Sequence, residues 1–263
     1  MNDFPAGMVW LVGAGPGDPE LLTCKAARLI AGASVVFYDA LVGDGILDLA
    51  APDARLVPVG KRSGRHSQDQ RTIDRLIVAA ALAGERVVRL KGGDPMIFGR
   101  ATEERDACRS QGVAVRVCPG ITAASAAAAS LGCSLTLRGR ARKLVFVTAH
   151  AAADAPLQLD WALLADPDAT LAVYMGKSAA DDIAAGLVGA GLPGDTPVAL
   201  VESASMAGER SVRTRLDLLP LAARTAFADG PLLLLIGTAL RASAGTANPG
   251  MAQAGAVFSG NSR

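Results

Sequence analysis

The chain has 263 residues, 51% of them hydrophobic, with 26 Lys and Arg against 25 Asp and Glu for a net charge of +1. That is enough apolar material for one large α/β unit or two modest ones. The even charge balance, with only six Phe, two Trp and two Tyr, gives no general attraction for nucleic acid and little base stacking, and no apolar run reaches the ~20 residues that span a bilayer. No nucleic-acid or membrane partner is expected. The chain also lacks the basic start and apolar stretch of a secretory leader, so a cytoplasmic location is expected.

In chain order, residues 9–12 predict a short apolar strand, 13–18 a glycine loop, and 20–31 a helix with Leu21, Leu22, Leu29 and Ile30 on one face; 35–38 predict a second strand ending at Asp39. Such a unit implies a parallel sheet with right-handed crossovers. The alternation continues with a strand near 56–59, a loop over 60–67, and a helix over about 69–83 carrying Ile73, Leu76, Ile77 and Ala80. Then come a strand at 87–90, a helix over 100–110, a strand at 113–117, and a helix over 121–131. That last helix is almost all Ala and Ser and can pack unusually close to a neighbour. Residues 136–143 break the apolar pattern with Arg138, Arg140, Arg142 and Lys143, which divides the chain into units at 1–137 and 143–240. The second unit is predicted to hold strands at 144–147, 170–174, 198–201, near 212–214 and at 232–236, with a helix over 179–188. Residues 241–263 lack apolar periodicity and are expected to form a disordered tail.

The stretch 86–99 carries the sharpest local signal. Its strand stops at Gly92, Gly93, Asp94 and Pro95, where adjacent glycines remove every Cβ, so a ligand can approach the main chain and the N–H groups are expected to be free to meet it. Pro95 biases Asp94 away from helix and holds its carboxylate at the strand's carboxyl end, where ligands bind in open α/β sheets. Gly-Asp-Pro recurs at Gly17, Asp18 and Pro19, and two such turns suggest a shared pocket; ordinary strand-to-helix turns are the plainer alternative.

The first loop, Gly-Ala-Gly-Pro-Gly-Asp at 13–18, resembles a dinucleotide fingerprint, with Asp39 where a ribose-binding acid would stand. Against that reading, Asp18 replaces the third glycine and would repel a pyrophosphate, and Pro16 has no N–H. A nucleoside without phosphates suits the loop better. S-adenosylmethionine is one, and its cationic sulfonium and ammonium would gain from Asp18 or Asp94 nearby. Cys24, Cys108, Cys118 and Cys133 show no C-x-x-C spacing and have only His66 and His150 beside them, so no metal site is expected.

Five ordered motifs resemble the tetrapyrrole methylase superfamily: GAGPGDP at 13–19, YDALV at 38–42, GKRSGRHSQDQ at 60–70, RLKGGDPMIFGR at 89–100 and PGITAASAA at 119–127. Within it, the GKR-x-G-x-H loop is most similar to that of the uroporphyrinogen-III C-methyltransferases, and the similarity runs from about Val9 to Leu240. The resemblance implies two α/β domains with the active site in the cleft between them, and a homodimer. It also implies transfer of two methyl groups from S-adenosylmethionine to C2 and C7 of a tetrapyrrole, uroporphyrinogen III, giving S-adenosylhomocysteine and precorrin-2, a compound used toward siroheme, cobalamin or haem d1.

By matching positions, the resemblance places Pro16, Gly92, Gly93, Asp94, Ile97, Thr122, Ala123, Met175, Ala204 and Gly237 around the donor. Asp39 and Lys61 match positions with proton-acceptor and proton-donor roles, and Arg100 with Glu103 matches a pair proposed to act on the substrate. The acceptor is a polycarboxylate, and Lys61, Arg62, Arg65 and His66 form one basic run while Arg138 heads a second. Arg62, Arg65, His66 and Arg138 are therefore the candidates for substrate contact, with a solvated surface loop as the plainer reading of each run. Plainer readings also exist for Met175 as core, Asp39 as a turn acid, and His150 as a structural histidine. The chain departs from the family's pattern at Ala101-Thr102, Leu137, Ala149 and Ser203-Ala204. The rival readings are a methylase for a later corrin intermediate, an NAD-dependent oxidoreductase, and a donor-binding module without turnover.

Overall fold

The computed structural model describes residues 4–60, 69–150, 157–227 and 230–241. Residues 61–68, which carry the first basic run, and the expected tail from 242 onward lie outside the described residues.

The first sheet contains β1 (Met8–Gly13), β2 (Val35–Tyr38), β3 (Arg55–Pro58), β4 (Val87–Lys91) and β5 (Ala114–Cys118), in the spatial order β3-β2-β4-β1-β5. Every pairing in it is parallel, as the repeated strand-helix alternation requires. The crossovers are α1 (Cys24–Ala31), α2 (Gln70–Leu82) and α3 (Ala101–Ser110). Along β1 the side chains alternate between two covered faces. Val9 and Leu11 pack with Ile73 and Ile77 of α2 and Cys108 of α3. Trp10 and Val12 pack with Ala26, Leu29 and Ile30 of α1. Both faces being dry, β1 reads as a continuous apolar run rather than an alternating one, while β4 is buried along its whole length yet carries Arg89 and Lys91.

The helix expected over 20–31 is two pieces. Asp18 caps a short 3-10 turn at Pro19–Leu21, Leu22 is extended, and Thr23 then caps α1 by accepting from Ala26 N at 3.1 Å. Two successive caps stop a single helix from forming across them.

The Ala-rich helix α4 (Ala123–Ser130) follows β5 in the chain but packs on the second sheet. Ala124, Ala126 and Ala127 meet Ala172, Ala199, Val201, Leu233 and Leu235, so small residues face small residues and the two halves share one apolar cluster. The second sheet comprises β6 (Lys143–Thr148), β7 (Ala169–Tyr174), β8 (Pro197–Glu202), β9 (Arg210–Arg215) and β10 (Leu232–Ile236), in the order β6-β7-β10-β8-β9. It is mixed: β6 and β7 are parallel, while β10 runs antiparallel to both β7 and β8, and β9 antiparallel to β8. Its outer face is covered by α5 (Trp161–Leu164), α6 (Ala180–Gly189) and α7 (Leu219–Thr225). Of these only α6 has a sequence signal. α5 is a single turn capped by Asp160, and α7 has Pro in its first turn and buries Leu219 and Ala223 alone.

Candidate donor and acceptor cleft

At the carboxyl ends of β1, β4 and β5 the backbone comes together at three glycines. A Cβ on Gly13 would lie 2.6 Å from Gly120 Cα and 2.7 Å from Gly93 O, and one on Gly120 would lie 2.2 Å from Gly93 O. Only glycine permits this approach. The loops are also tied by hydrogen bonds: Gly93 N–H donates to Gly15 O at 2.6 Å and Gly15 N–H to Gly93 O at 3.2 Å. The expectation of free N–H groups at Gly93 is thereby corrected, because the first glycine loop already uses that donor.

Asp94 serves the same junction. Its Oδ1 accepts from Met96 N at 2.7 Å and its Oδ2 from Gly120 N at 3.0 Å, which fixes the β4 loop to the β5 loop. Asp18 is spent on its cap, accepting from Glu20 N at 2.8 Å, while its own N–H donates to Ser205 Oγ at 3.1 Å across the cleft. A Cβ on Gly17 would meet Met206 Cγ at 2.4 Å, so that side of the first loop is covered.

A cavity of about 460 Å³ opens between these loops and the second sheet. Of the positions expected around the donor, Pro16, Gly92, Gly93, Asp94, Ile97, Thr122, Ala123, Met175 and Ala204 all line it, as do Asp39 and Arg100. Gly237 does not. It follows the far end of β10 from Leu232 and Leu233, which do line the cavity, and five strand residues at ~3.3 Å each put it roughly 16 Å away. There its N–H bonds Pro197 O, and an added Cβ would strike Ala169 O at 2.7 Å. Arg138 lies exposed in the turn closed by the Leu137–Ala141 bridge, outside the cavity lining. Lys61, Arg62, Arg65 and His66 lie outside the described residues. Met175 is not core, being 47% exposed.

Strain gathers at this cleft. The non-glycine residues of positive φ among the described residues are Phe98, Arg100, Met175, Ser203 and Ser205. The first four line the cavity, and Ser205 makes the contact to Asp18. Each costs of order 1–2 kcal/mol against an ordinary conformation, which the surrounding packing must offset. Tyr174 stands on the cavity wall with its hydroxyl 2.5 Å from Thr122 Oγ1 and accepting from Ala124 N at 3.3 Å. Burial pushes the Tyr174 phenol up, against the lowering effect of those two bonds, so it stays protonated. Phe98 and Phe146 pack on its ring at 5.2 and 5.8 Å between centroids.

Behind Asp39 lies a charged cluster that sequence reasoning missed. Arg89 and Lys91, two apart on β4, point to the same side of the sheet. Arg89 is 2% exposed; its Nη2 donates to Asp39 Oδ1 at 2.6 Å and its Nε to Glu104 Oε1 at 2.9 Å. Lys91 Nζ lies 3.0 Å from Glu104 Oε1 and 3.9 Å from Asp39 Oδ2. Burial, aided by the neighbouring Arg89 charge, holds the Lys91 ammonium below its usual range, while Glu104 and Asp39 oppose that. At the rim, Arg100 and Glu103 form a two-pronged pair at 2.8 and 2.6 Å, whose hydrogen bonding lowers the Glu103 carboxyl and raises Arg100. The signal for the buried cluster was an Arg and a Lys inside an otherwise apolar strand, which demand buried acids.

A parallel sheet joined to a mixed one, with glycine loops and a carboxylate at a shared apolar cleft, defines an α/β protein built to hold a small ligand between its halves. The family model for Tetrapyrrole (Corrin/Porphyrin) Methylases matches residues 8–220, and the chain belongs to that family. It is 48% identical over 236 residues to a siroheme synthase of Gluconobacter oxydans, covering 90% of this chain and 50% of that protein. It is likewise 48% identical over 237 residues to the uroporphyrinogen-III C-methyltransferase of Pseudomonas aeruginosa, covering 90% and 95%. A solved structure of uroporphyrin-III C-methyl transferase from Thermus thermophilus, complexed with S-adenyl homocysteine, is similar at a TM-score of 0.76 and 40% identity, covering 89% of this chain and 99% of that one. The chain spans about half the length of the siroheme synthases it matches.

Proposed function

We propose that this chain is an S-adenosylmethionine-dependent methyltransferase that methylates uroporphyrinogen III at C2 and C7 to give precorrin-2. The observation that carries the reading is the cavity between the sheets, where most of the donor positions meet Asp39 and Arg100. The names of the Pseudomonas and Thermus relatives support it.

The lining fits such a donor. Its volume is that of a small-ligand site, and at Gly93 an added Cβ would meet no atom within 4 Å, so bare backbone borders open space. A dinucleotide fits poorly. At the first glycine loop the Gly15 N–H is already bonded and Pro16 has none, and the buried cations Arg89 and Lys91 are tied to carboxylates, so that loop offers a pyrophosphate little.

When bound, S-adenosylmethionine supplies a methyl carbon made electrophilic by its sulfonium. The protein's part is to hold, orient and shield. The hydroxyls of Thr122 and Tyr174 offer hydrogen bonds to the nucleoside, and Leu41, Ile97, Phe98 and Met175 exclude water from the wall. Asp39, held by Arg89, accepts the proton that a methylated pyrrole ring must shed. Arg100 can exchange Glu103 for a substrate carboxylate at little cost, since so exposed a pair contributes about 0–1 kcal/mol. Lys61, Arg62, Arg65, His66 and Arg138 supply the positive charge for the remaining carboxylates in this proposal. A homodimer goes with it on the family resemblance, and a cytoplasmic location on the sequence reading. Calorimetry tests the donor assignment. Binding of S-adenosylhomocysteine and none of NADH is expected, and the reverse would overturn it.

A further inference from the structure

Glu104 is 1% exposed, sits on the first turn of α3, and has no assigned part in the function proposed above. Only one of its oxygens is engaged. Oε1 takes Arg89 Nε at 2.9 Å, Lys91 Nζ at 3.0 Å and, more weakly, Gln70 Nε2 at 3.5 Å, while Oε2 is buried with no partner. A carboxylate so placed is costly unless its whole charge is used by its neighbours, and here both neighbours are cations that also face Asp39. The cluster thus has one carboxylate at the back, two cations in the middle, and one carboxylate at the cavity wall.

On the strength of the methyltransferase reading, we propose that Glu104 is a positioning residue for the reaction: by engaging Arg89 and Lys91 from behind, it fixes the orientation of the Asp39 carboxylate and balances the two cations that bear on it.

With Glu104 in place, part of the field of the two cations is cancelled before it reaches Asp39. Without that cancellation both cations bear on Asp39 alone and its proton affinity falls. The other groups facing the cluster come from each neighbouring element. On α2 they are Gln70 and Asp74, the latter held 2.8 Å from Gln70 Nε2. On α3 they are Glu103 and Cys108, with Arg100 just before its first residue; Asp74 feels Glu104, Glu103 and Arg100, Glu103 feels Lys91, and Cys108 feels Asp74 and Glu104. Among the described residues none of these bonds Asp39 or takes the free Glu104 oxygen, so there the Arg89 and Lys91 bridge is the coupling between the two carboxylates.

The test uses two charge changes of opposite sign. Glu104→Gln preserves the oxygen that accepts from Arg89 and Lys91 and puts its amide nitrogen where Oε2 now lacks a partner, while removing the negative charge. Lys91→Met removes one cation at similar length. The Asp39 carboxyl is followed by ¹³C NMR titration of the full chain without ligands, and the acidic limb of kcat/KM is measured alongside. Glu104→Gln should move both readouts down by about one pH unit, and Lys91→Met should move both up. Asp39 titrating at the wild-type position in both variants would overturn the proposal, whatever happened to turnover, since a merely structural role would lower stability without opposed shifts. If Glu104→Gln fails to fold, Glu104→Asp, which keeps the charge and draws it back by one methylene, takes its place, and an Asp39 titration unmoved there would overturn the proposal. If the wild-type chain yields no methylated tetrapyrrole yet Asp39 still moves in opposite directions, the coupling stands and the functional reading is what fails.

Discussion

The glycine junction makes a quantitative claim that Gly120→Ala can check. The added Cβ would sit 2.2 Å from Gly93 O, against an ordinary contact near 3.4 Å, and 2.9 Å from Gly13 Cα. Neither neighbour is a movable side chain, so the β4 and β5 loops must part by about 1 Å. Overpacking of that kind costs up to about 3 kcal/mol, and stretching the Gly120 N–H bond to the Asp94 carboxylate forfeits about 1–2 kcal/mol more. A loss near 4 kcal/mol at roughly 2–4 °C per kcal/mol predicts that Tm falls by about 8–16 °C. Because Gly93 and Asp94 line the cavity, binding of S-adenosylhomocysteine should weaken at least about tenfold as well. The assay is thermal unfolding by circular dichroism with and without S-adenosylhomocysteine. Gly189→Ala, where nothing lies within 4 Å of the new Cβ at the end of α6, serves as the control and should shift stability by less than about 1 kcal/mol. A Gly120→Ala protein melting within about 2 °C of wild type would show that the three glycines are not in forced contact.

Burial raises the Asp74 carboxyl above its ordinary value, with the Glu104 and Glu103 charges acting the same way. The folded state therefore holds that proton more tightly than the unfolded chain, and the ionised form costs stability above the carboxyl range. Asp74→Asn should stabilise at pH 7.5 by urea unfolding, with the gain gone near pH 4; destabilisation at pH 7.5 would contradict this. The Cys108 thiol, pushed up to about 11 by burial and nearby carboxylates, should resist iodoacetamide at pH 8 while exposed Cys24 reacts, as peptide mass spectrometry would show. Ser203→Gly relieves a positive φ of 54° and should raise Tm by a few degrees, since about 1–2 kcal/mol of strain exceeds the ~0.5–1 kcal/mol entropy cost of glycine. An unchanged or lower Tm would show that the packing has already absorbed the strain.

The parallel sheet was legible because β1, β3, β4 and β5 each run into a glycine-containing turn and then a helical stretch, a pattern with few alternative topologies. The second sheet was less so. The run Leu232–Ile236 marks a buried strand but carries no direction, and its antiparallel place between β7 and β8 is a fact of tertiary packing. α5 and α7 were invisible because helices of four and seven residues fall below any periodic window. Within the cleft, positions tied to glycine and proline motifs could be read from the chain, because such residues are chosen for backbone geometry. The Asp39–Arg89–Glu104–Lys91 cluster could not, since it joins residues up to 65 positions apart by contacts that only the fold creates. Gly93 shows the complementary limit: a bare glycine announces close approach but not to what, and its N–H meets Gly15 rather than a ligand.

The cleft's defining property is what it does to its acceptor. Anaerobic incubation of the chain with uroporphyrinogen III and S-adenosylmethionine, followed by mass spectrometry of the tetrapyrrole, measures it directly. A gain of two methyl groups, with S-adenosylhomocysteine formed in twofold proportion, is the predicted result; recovery of unmethylated tetrapyrrole while the chain still binds S-adenosylhomocysteine would contradict it.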